Sequence, residues 1–237
     1  YLYGGLGLLH LFVEQGIAQL QLLLRHLRAE TTQGSLLVIG LSWWHLVAGF
    51  SSSLWENPQA NISYVEHTWY TSLKDFLLYA HGSIYIPHEY FLHWRPLRKH
   101  DVAIMERISL LAGVSRADLK SFNRCRLHQG VMYLSEISTA DGTSIARDAW
   151  AGTRSRFSPI LWPFQPSPGP KSWRVWRRLL ARAFLEDTPK RATPKTKDLL
   201  LLQPLGEWLP GSEWIFSKWA YGFSPDTGHI YHAPARQ

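Results

Sequence analysis

The chain has 237 residues, of which 46% are apolar and 14% aromatic, enough to bury a sizeable core. Its single cysteine excludes an internal disulfide and any zinc site built from several thiolates. The formal net charge is +7 at pH 7, which points to an anionic partner.

The first fifty residues predict two helices. Apolar residues such as Val13, Ile17 and Leu20 keep a three- and four-residue spacing, so residues 8–28 are predicted to form an amphipathic helix. Residues 30–34 should break it, and residues 36–48 should form a second helix. That second helix is apolar nearly all round, so we expect nearly complete burial.

Two features bear on the compartment. The longest apolar run, residues 36–50, is shorter than the roughly 20 residues that a bilayer span needs, so no membrane partner is expected. The sequence begins at Tyr1 without an initiator Met, a basic leader or a small-residue cleavage site. We therefore expect an intracellular protein, cytoplasmic or nuclear, and a chain cut from something longer.

The middle of the chain alternates helices and turns. Residues 69–80 have helical spacing, and residues 83–86 and 90–94 are predicted to form a short hairpin around Pro87. Asp101 is predicted to cap a helix that Gly113 closes, and Ser115 to open the next one. Residues 139–142 are a turn signal.

The positive charge is concentrated in residues 147–197, which hold 12 basic and three acidic residues, against 13 basic and 15 acidic in the rest. After an extended, proline-rich connection at residues 158–170, residues 172–185 are predicted to form a helix. Trp173 and Trp176 fall on its core side, while Arg174, Arg178 and Arg182 form a ridge on the other side.

Cations interleaved with aromatic rings suit a polyanion that carries flat bases, so we interpret this segment as a nucleic-acid-binding surface. The alternative interpretation is a solvated helix face above core tryptophans. The candidate nucleic-acid-binding residues are Arg154, Arg156, Lys171, Arg174, Arg177, Arg178 and Arg182.

The C-terminal part begins with residues 186–198, a polar, Lys- and Pro-rich stretch predicted to be a mobile linker. Residues 214–223 and 229–232 flank a Pro-Asp-Thr-Gly turn and predict an aromatic hairpin. The expected fold is mainly α with short β-hairpins. Its predicted parts are a helical domain at 1–150, the basic segment at 151–198 and the hairpin region at 199–237.

No reaction centre is visible in the sequence. The densest histidines, at 81, 88, 93 and 100, meet no metal-ligand spacing, so only tertiary folding could assemble a metal or degenerate hydrolase site from them. Cys125 lies between two arginines that favour a reactive thiolate, but its apolar neighbours favour a buried structural role. We expect no cofactor, no metal and no catalytic residue.

Ten segments together resemble retroelement-encoded reverse transcriptase proteins of eukaryotic microbes, in the region between the polymerase palm and the ribonuclease H domain. The segments are residues 4–7, 10–16, 69–76, 95–98, 101–105, 123–127, 134–142, 161–163, 173–177 and 219–231. The resemblance implies a thumb and connection role, in which helices hold the RNA–DNA template-primer duplex. Palm and nuclease carboxylates would lie in flanking domains of the same polyprotein, outside this chain.

The sequence thus predicts a non-catalytic segment that contacts the backbone of a template-primer duplex and belongs to a parent RNA-directed DNA polymerase with ribonuclease H. The alternative is a protein-interaction or scaffold module, in which Trp and Arg bind an acidic partner.

Overall fold

The computed structural model describes residues 10–29, 31–85, 96–153, 166–186, 195–209, 219–224 and 229–234. The chain folds as two compact units, one made of Tyr1–Leu46 and Phe50–His93, the other of Val47–Gly49 and Trp94–Gln237. The boundaries of these two units do not coincide with the boundaries of the three segments predicted from the sequence. Regular structure is mainly helical, as predicted.

The described residues form seven α-helices and one pair of strands. The helices are α1 (Leu11–Arg28), α2 (Thr32–Ala48), α3 (Trp69–Tyr79), α4 (Ile104–Ser109), α5 (Arg116–Gln129), α6 (Arg147–Ala151) and α7 (Pro170–Phe184). Short 3-10 helices span Leu134–Ile137 and Thr196–Leu199, and the strands are β1 (Trp219–Ser224) and β2 (His229–Pro234). None of the helices within the described residues is both long enough and apolar enough to cross a bilayer.

In the first unit, α1 packs on α3. Gly16 of α1 lies directly against the ring of Phe76, and a Cβ at this position would clash with that ring. The side chain of Gln19 donates to the Ser72 hydroxyl at 3.4 Å. Thr68 caps α3 by accepting from the Thr71 backbone N–H, so the helix begins at Trp69, as predicted.

Helix α2 differs from its prediction in two ways. It begins at Thr32, inside the stretch that we expected to break the helix. Its burial is also incomplete, because Leu36 and Ile39 are 63% and 64% exposed and Trp43 is half-exposed. Nothing among the described residues of this unit covers that side of the helix. Only the C-terminal half, residues 41–48, reaches the core, where Trp44 stacks on Tyr70 with ring centroids 5.9 Å apart.

In the second unit, the fully buried guanidinium of Arg126 joins three segments of the chain. It donates to the carbonyl oxygen of Val47 at 3.0 Å, to that of Val131 at 3.1 Å and to Oδ1 of Asn123 at 2.8 Å. Asn123 in turn donates to the same Val47 oxygen at 2.9 Å. Hydrogen bonds to buried backbone carbonyls compensate for the water that the charge has lost.

Asp101 does not cap α4 as predicted. The N-cap of α4 is Ala103, and the Asp101 carboxylate accepts instead from the backbone N–H groups of Leu97, Val102 and Ser135 and from the Ser135 hydroxyl, at 2.6–3.1 Å. Burial raises the pKa of Asp101, and these four hydrogen bonds oppose that shift. The carboxylate fixes two loops 34 residues apart, which explains why no local motif revealed its role.

Two other predicted features are observed, the Ser115 cap and the turn at residues 139–142. Ser115 caps α5 by accepting from the Asp118 N–H at 3.1 Å, and Gly130 ends the helix in the left-handed conformation. Gly142 closes the predicted turn by donating to the Thr139 oxygen at 2.8 Å. Strands β1 and β2 pair antiparallel, from Trp219↔Pro234 to Ser224↔His229.

Two predictions concern residues that the structure describes only in part. Most of the hairpin predicted around Pro87 lies outside the described residues, as do positions 187–194 of the predicted linker. The end of that linker forms the 3-10 helix Thr196–Leu199, in which the Asp198 carboxylate accepts from the Lys195 N–H at 2.8 Å.

The buried His45 of α2 makes stability sensitive to acid. Burial lowers the pKa of this imidazole from 6.5 to about 3, so the unfolded chain takes up a proton at pH 5 that the folded protein does not. Folding stability should therefore fall by about 2 kcal/mol between pH 7 and pH 5. Urea unfolding at both pH values measures this loss, which His45→Leu should largely remove.

The matched control is His67→Gln, because the His67 side chain is 75% exposed. This variant should keep the wild-type pH dependence. An unchanged stability of the wild type between pH 7 and pH 5 would contradict the assignment of His45 as a neutral core residue.

Candidate nucleic-acid interface

Helix α7 carries most of the predicted binding residues. It begins at Pro170, two residues earlier than predicted, because Pro suits the first helical position and Gly169 provides an extended N-cap. It ends at Phe184, which contacts residues 200–202: the Phe184 carbonyl oxygen accepts from the Leu202 N–H at 2.8 Å. The C-terminal end of the helix is thus held in place.

The apolar side of α7 is fixed by Trp176. This fully buried side chain stacks on Phe122 of α5, with ring centroids 4.5 Å apart and planes inclined by 29°. Its indole N–H donates to the Ala149 carbonyl of α6 at 3.1 Å. Trp173, in contrast, is only partly buried and meets the His128 ring edge-on at 6.1 Å. Trp176 is thus a core residue, as predicted, whereas Trp173 lies at the edge of the core.

The opposite side of α7 is cationic and exposed. Arg174, Arg178 and Arg182 all point to solvent, as the i, i+4, i+8 spacing predicted, and Arg177 is half-buried. Lys171 in the first turn is exposed too. We call these five residues the α7 cationic face. Arg154 and Arg156, the other two candidates, lie outside the described residues.

Two members of the α7 cationic face are already engaged. Arg178 forms an ion pair with Asp118 of α5, at 3.0 Å, and Arg182 donates to the Ala112 carbonyl at 2.6 Å. Lys171 and Arg174 make no hydrogen bond or ion pair with any described residue. The N-terminal half of the face is therefore the part with the most available charge.

Sequence reasoning missed a second row of cations. Helix α5 exposes Arg116, Lys120 and Arg124, which follow one another at four-residue intervals. The spacing was visible in the sequence, but these residues lie outside the segment in which basic residues outnumber acidic ones.

Cys125 is an apolar packing residue, not a nucleophile. Its side chain is fully buried. Burial raises the pKa of the thiol to about 12, although the neighbouring Arg124 and Arg177 oppose the shift. The thiol is therefore protonated and unreactive at neutral pH, in agreement with the structural role that its apolar neighbours favoured.

The histidines considered for a metal site are only partly described. His81 and His100 both have a left-handed backbone, with φ of 51° and 64°, whereas His88 and His93 lie outside the described residues. Within the described ranges, no three side chains of His, Cys, Asp or Glu come together in a way that could hold a metal ion.

No protein-family model, no curated protein and no solved structure matches the chain.

Trp176→Ala should destabilise the second unit by about 3–5 kcal/mol, because it removes a fully buried aromatic ring and leaves a cavity beside Phe122. Chemical denaturation measures this loss. Trp173→Ala is the matched comparison in the same helix and should cost distinctly less, since that ring is partly exposed. Equal losses for the two variants would contradict the assignment of Trp176 as the anchor of α7.

Proposed function

We propose that this chain is a non-catalytic nucleic-acid-handling segment, which contacts the phosphate backbone of an RNA–DNA template-primer duplex through the α7 cationic face. The parent is proposed to be an intracellular reverse transcriptase-like retroelement protein, whose polymerase and ribonuclease H domains flank this segment. The observation that carries the proposal is the exposure of Lys171 and Arg174 on a helix whose other side is locked by Trp176.

The position of Lys171 supports a binding role over simple solvation. The first turn of a helix carries a partial positive charge, which favours acidic residues and disfavours cations. The first turn of α7 has no acidic residue and contains Lys171. A cation at this position reduces helix stability, whereas contact of the exposed lysine with a phosphate would be favourable.

The fixed geometry of the helix also supports backbone contact. A phosphate contact needs a cation of defined position but no base-specific geometry. Residues spaced by four along α7 rise about 6 Å from one to the next, so they can follow a strand whose phosphates repeat every few ångströms. Each engaged cation releases counterions from the nucleic acid, which makes binding weaker as salt rises.

Lys171→Gln and Arg174→Gln should each weaken binding of a fluorescent RNA–DNA hybrid and reduce the slope of log K against log salt by about one. Fluorescence anisotropy between about 50 and 200 mM salt measures the slope. Lys171→Gln should at the same time leave the protein as stable or up to about 1 kcal/mol more stable, because it removes a cation from the helix start.

Because Lys171→Gln should weaken binding without destabilising the fold, its loss of affinity cannot be attributed to unfolding. Thermal unfolding of Lys171→Gln provides the control. Binding of the wild type that barely changes with salt would overturn the proposal.

Asp118→Asn should strengthen binding, because Arg178 is then no longer paired with a carboxylate at 3.0 Å. The salt slope should become steeper by up to about one, as one more cation reaches phosphate. Ser115→Ala is a matched control, since it weakens the cap of the same helix without changing any charge. Reduced affinity of Asp118→Asn would indicate that the ion pair shapes the site instead of competing with it.

A second candidate is an interaction module for an acidic protein. Its support is Trp173, a partly exposed aromatic side chain next to Arg174 and Arg177, since Trp and Arg are enriched at interface hot spots. Pull-down after nuclease treatment separates the two functions: a partner that persists without nucleic acid supports the interaction module.

A further inference from the structure

We propose that this chain pairs with a second copy of itself through the exposed side of α2. Leu36, Ile39 and Trp43 line that side and are 63%, 64% and 46% exposed. We call these three residues the α2 stripe. The inference is independent of the proposed function, because the stripe lies in the first unit and the α7 cationic face lies in the second.

The α2 stripe has the spacing by which one helix packs along another. At about 100° per residue, its three side chains fall within about 60° of the helix circumference. Thr32 is exposed in the same arc, so positions 32, 36, 39 and 43 follow one another at intervals of four, three and four residues. This alternation is the spacing of a two-helix seam. The buried residues Trp44 and His45 lie on the other half of the helix.

The charge distribution favours a second copy as the occupant. The chain has a net charge of +7, so its basic surfaces repel those of another copy. Helix α2 contains no Lys, Arg, Asp or Glu, so two stripes can meet without like-charge repulsion. The same lack of charge leaves nothing on α2 to attract a charged protein or the anionic lipids that basic amphipathic helices bind. A neutral, apolar stripe therefore fits its own copy.

The area of the α2 stripe corresponds to a weak pair. A Leu, Ile or Trp side chain that is about half exposed or more keeps roughly 100 Å² of surface to bury, so the stripe offers on the order of 300 Å². Stable complexes bury about 800 Å² on each partner, and smaller contacts are transient. We therefore expect reversible pairing that depends on protein concentration.

A two-fold axis makes such a contact self-complementary, because each copy contributes the same residues. Ile39 lies midway between the other two members of the α2 stripe. In an antiparallel pair, Ile39 therefore lies near the axis and meets Ile39 of its partner, while Leu36 of each copy faces Trp43 of the other. The position nearest the axis is the one at which a single substitution acts twice.

Sedimentation equilibrium of the full chain tests the pairing. After nuclease treatment and at about 0.5 M salt, association through residual nucleic acid is weakened, whereas apolar contacts persist. The average mass of the wild type should rise toward that of a dimer as concentration increases. Ile39→Glu should raise the dissociation constant at least tenfold, because two unpaired carboxylates would be buried at the axis. Leu110→Glu, at a 79% exposed apolar residue of the second unit, is the matched control and should pair like the wild type.

Cysteine cross-linking gives a second measurement. The native Cys125 is fully buried, and burial raises the pKa of its thiol to about 12, so it does not compete. Ile39→Cys should form a disulfide-linked dimer with oxidised glutathione, which accepts the two electrons and two protons of the paired thiols. Leu22→Cys, at a 45% exposed apolar residue of α1, is the control and should remain mostly monomeric.

Three results would overturn this inference. One is a wild type that stays monomeric at every concentration, and a second is pairing that Ile39→Glu does not weaken. The third is a monomeric wild type that floats with neutral phosphatidylcholine vesicles while Ile39→Glu does not, which would make a lipid surface the occupant. Circular dichroism melting checks the fold of each variant, and the Ile39→Cys cross-link decides if Ile39→Glu unfolds. None of these results bears on the salt dependence attributed to the α7 cationic face.

Discussion

The stack of Trp176 on Phe122 is the interaction that holds the helix bearing the α7 cationic face in place. It joins α7 to α5 through two large rings whose centroids are 4.5 Å apart, and the indole N–H extends the contact to α6. A buried aromatic pair has few alternative arrangements, because core packing leaves little room for other rotamers. The position of α7 against α5 is therefore fixed by this ring pair.

Electrostatics in this unit has two distinct roles. Arg126 is fully buried and donates hydrogen bonds to nearby backbone and side-chain acceptors. One of these bonds, to the Val47 carbonyl, connects the end of α2 to α5. Arg124, two residues earlier, is exposed, and its side chain forms no hydrogen bond or ion pair with a described residue. The same residue type thus serves structure or surface according to the side of the helix on which it lies, so counting basic residues alone does not locate a binding site.

The parts of the fold that follow local periodicity were predictable. The two sides of α7, the start of α3 and the Ser115 cap of α5 were all readable, because their determinants lie within a few residues of one another. The exposure of Leu36 and Ile39 was not, since it depends on which segments cover α2 and not on α2 itself. For the same reason the partner of Asp101, Ser135, could not be found from sequence spacing.

The candidate binding residues were predictable in part. Charge density along the chain pointed to Lys171 and Arg174, but it does not reveal exposed cations outside the basic segment. Lys120 and Arg124 belong to a stretch that is not conspicuously basic, and their exposure on α5 was not predicted.

The attachment of residues 200–202 to the end of α7 has a consequence for how the chain tolerates change. The Glu186 N–H donates to the Leu200 oxygen at 3.1 Å, so the two ends of the intervening segment are held together irrespective of its conformation. Lengthening a closed segment costs only about 0.6 kcal/mol for each doubling of its length. Extra residues inserted between 187 and 194 should therefore reduce folding stability only slightly. This position is a natural point of length variation and a convenient place for a reporter group.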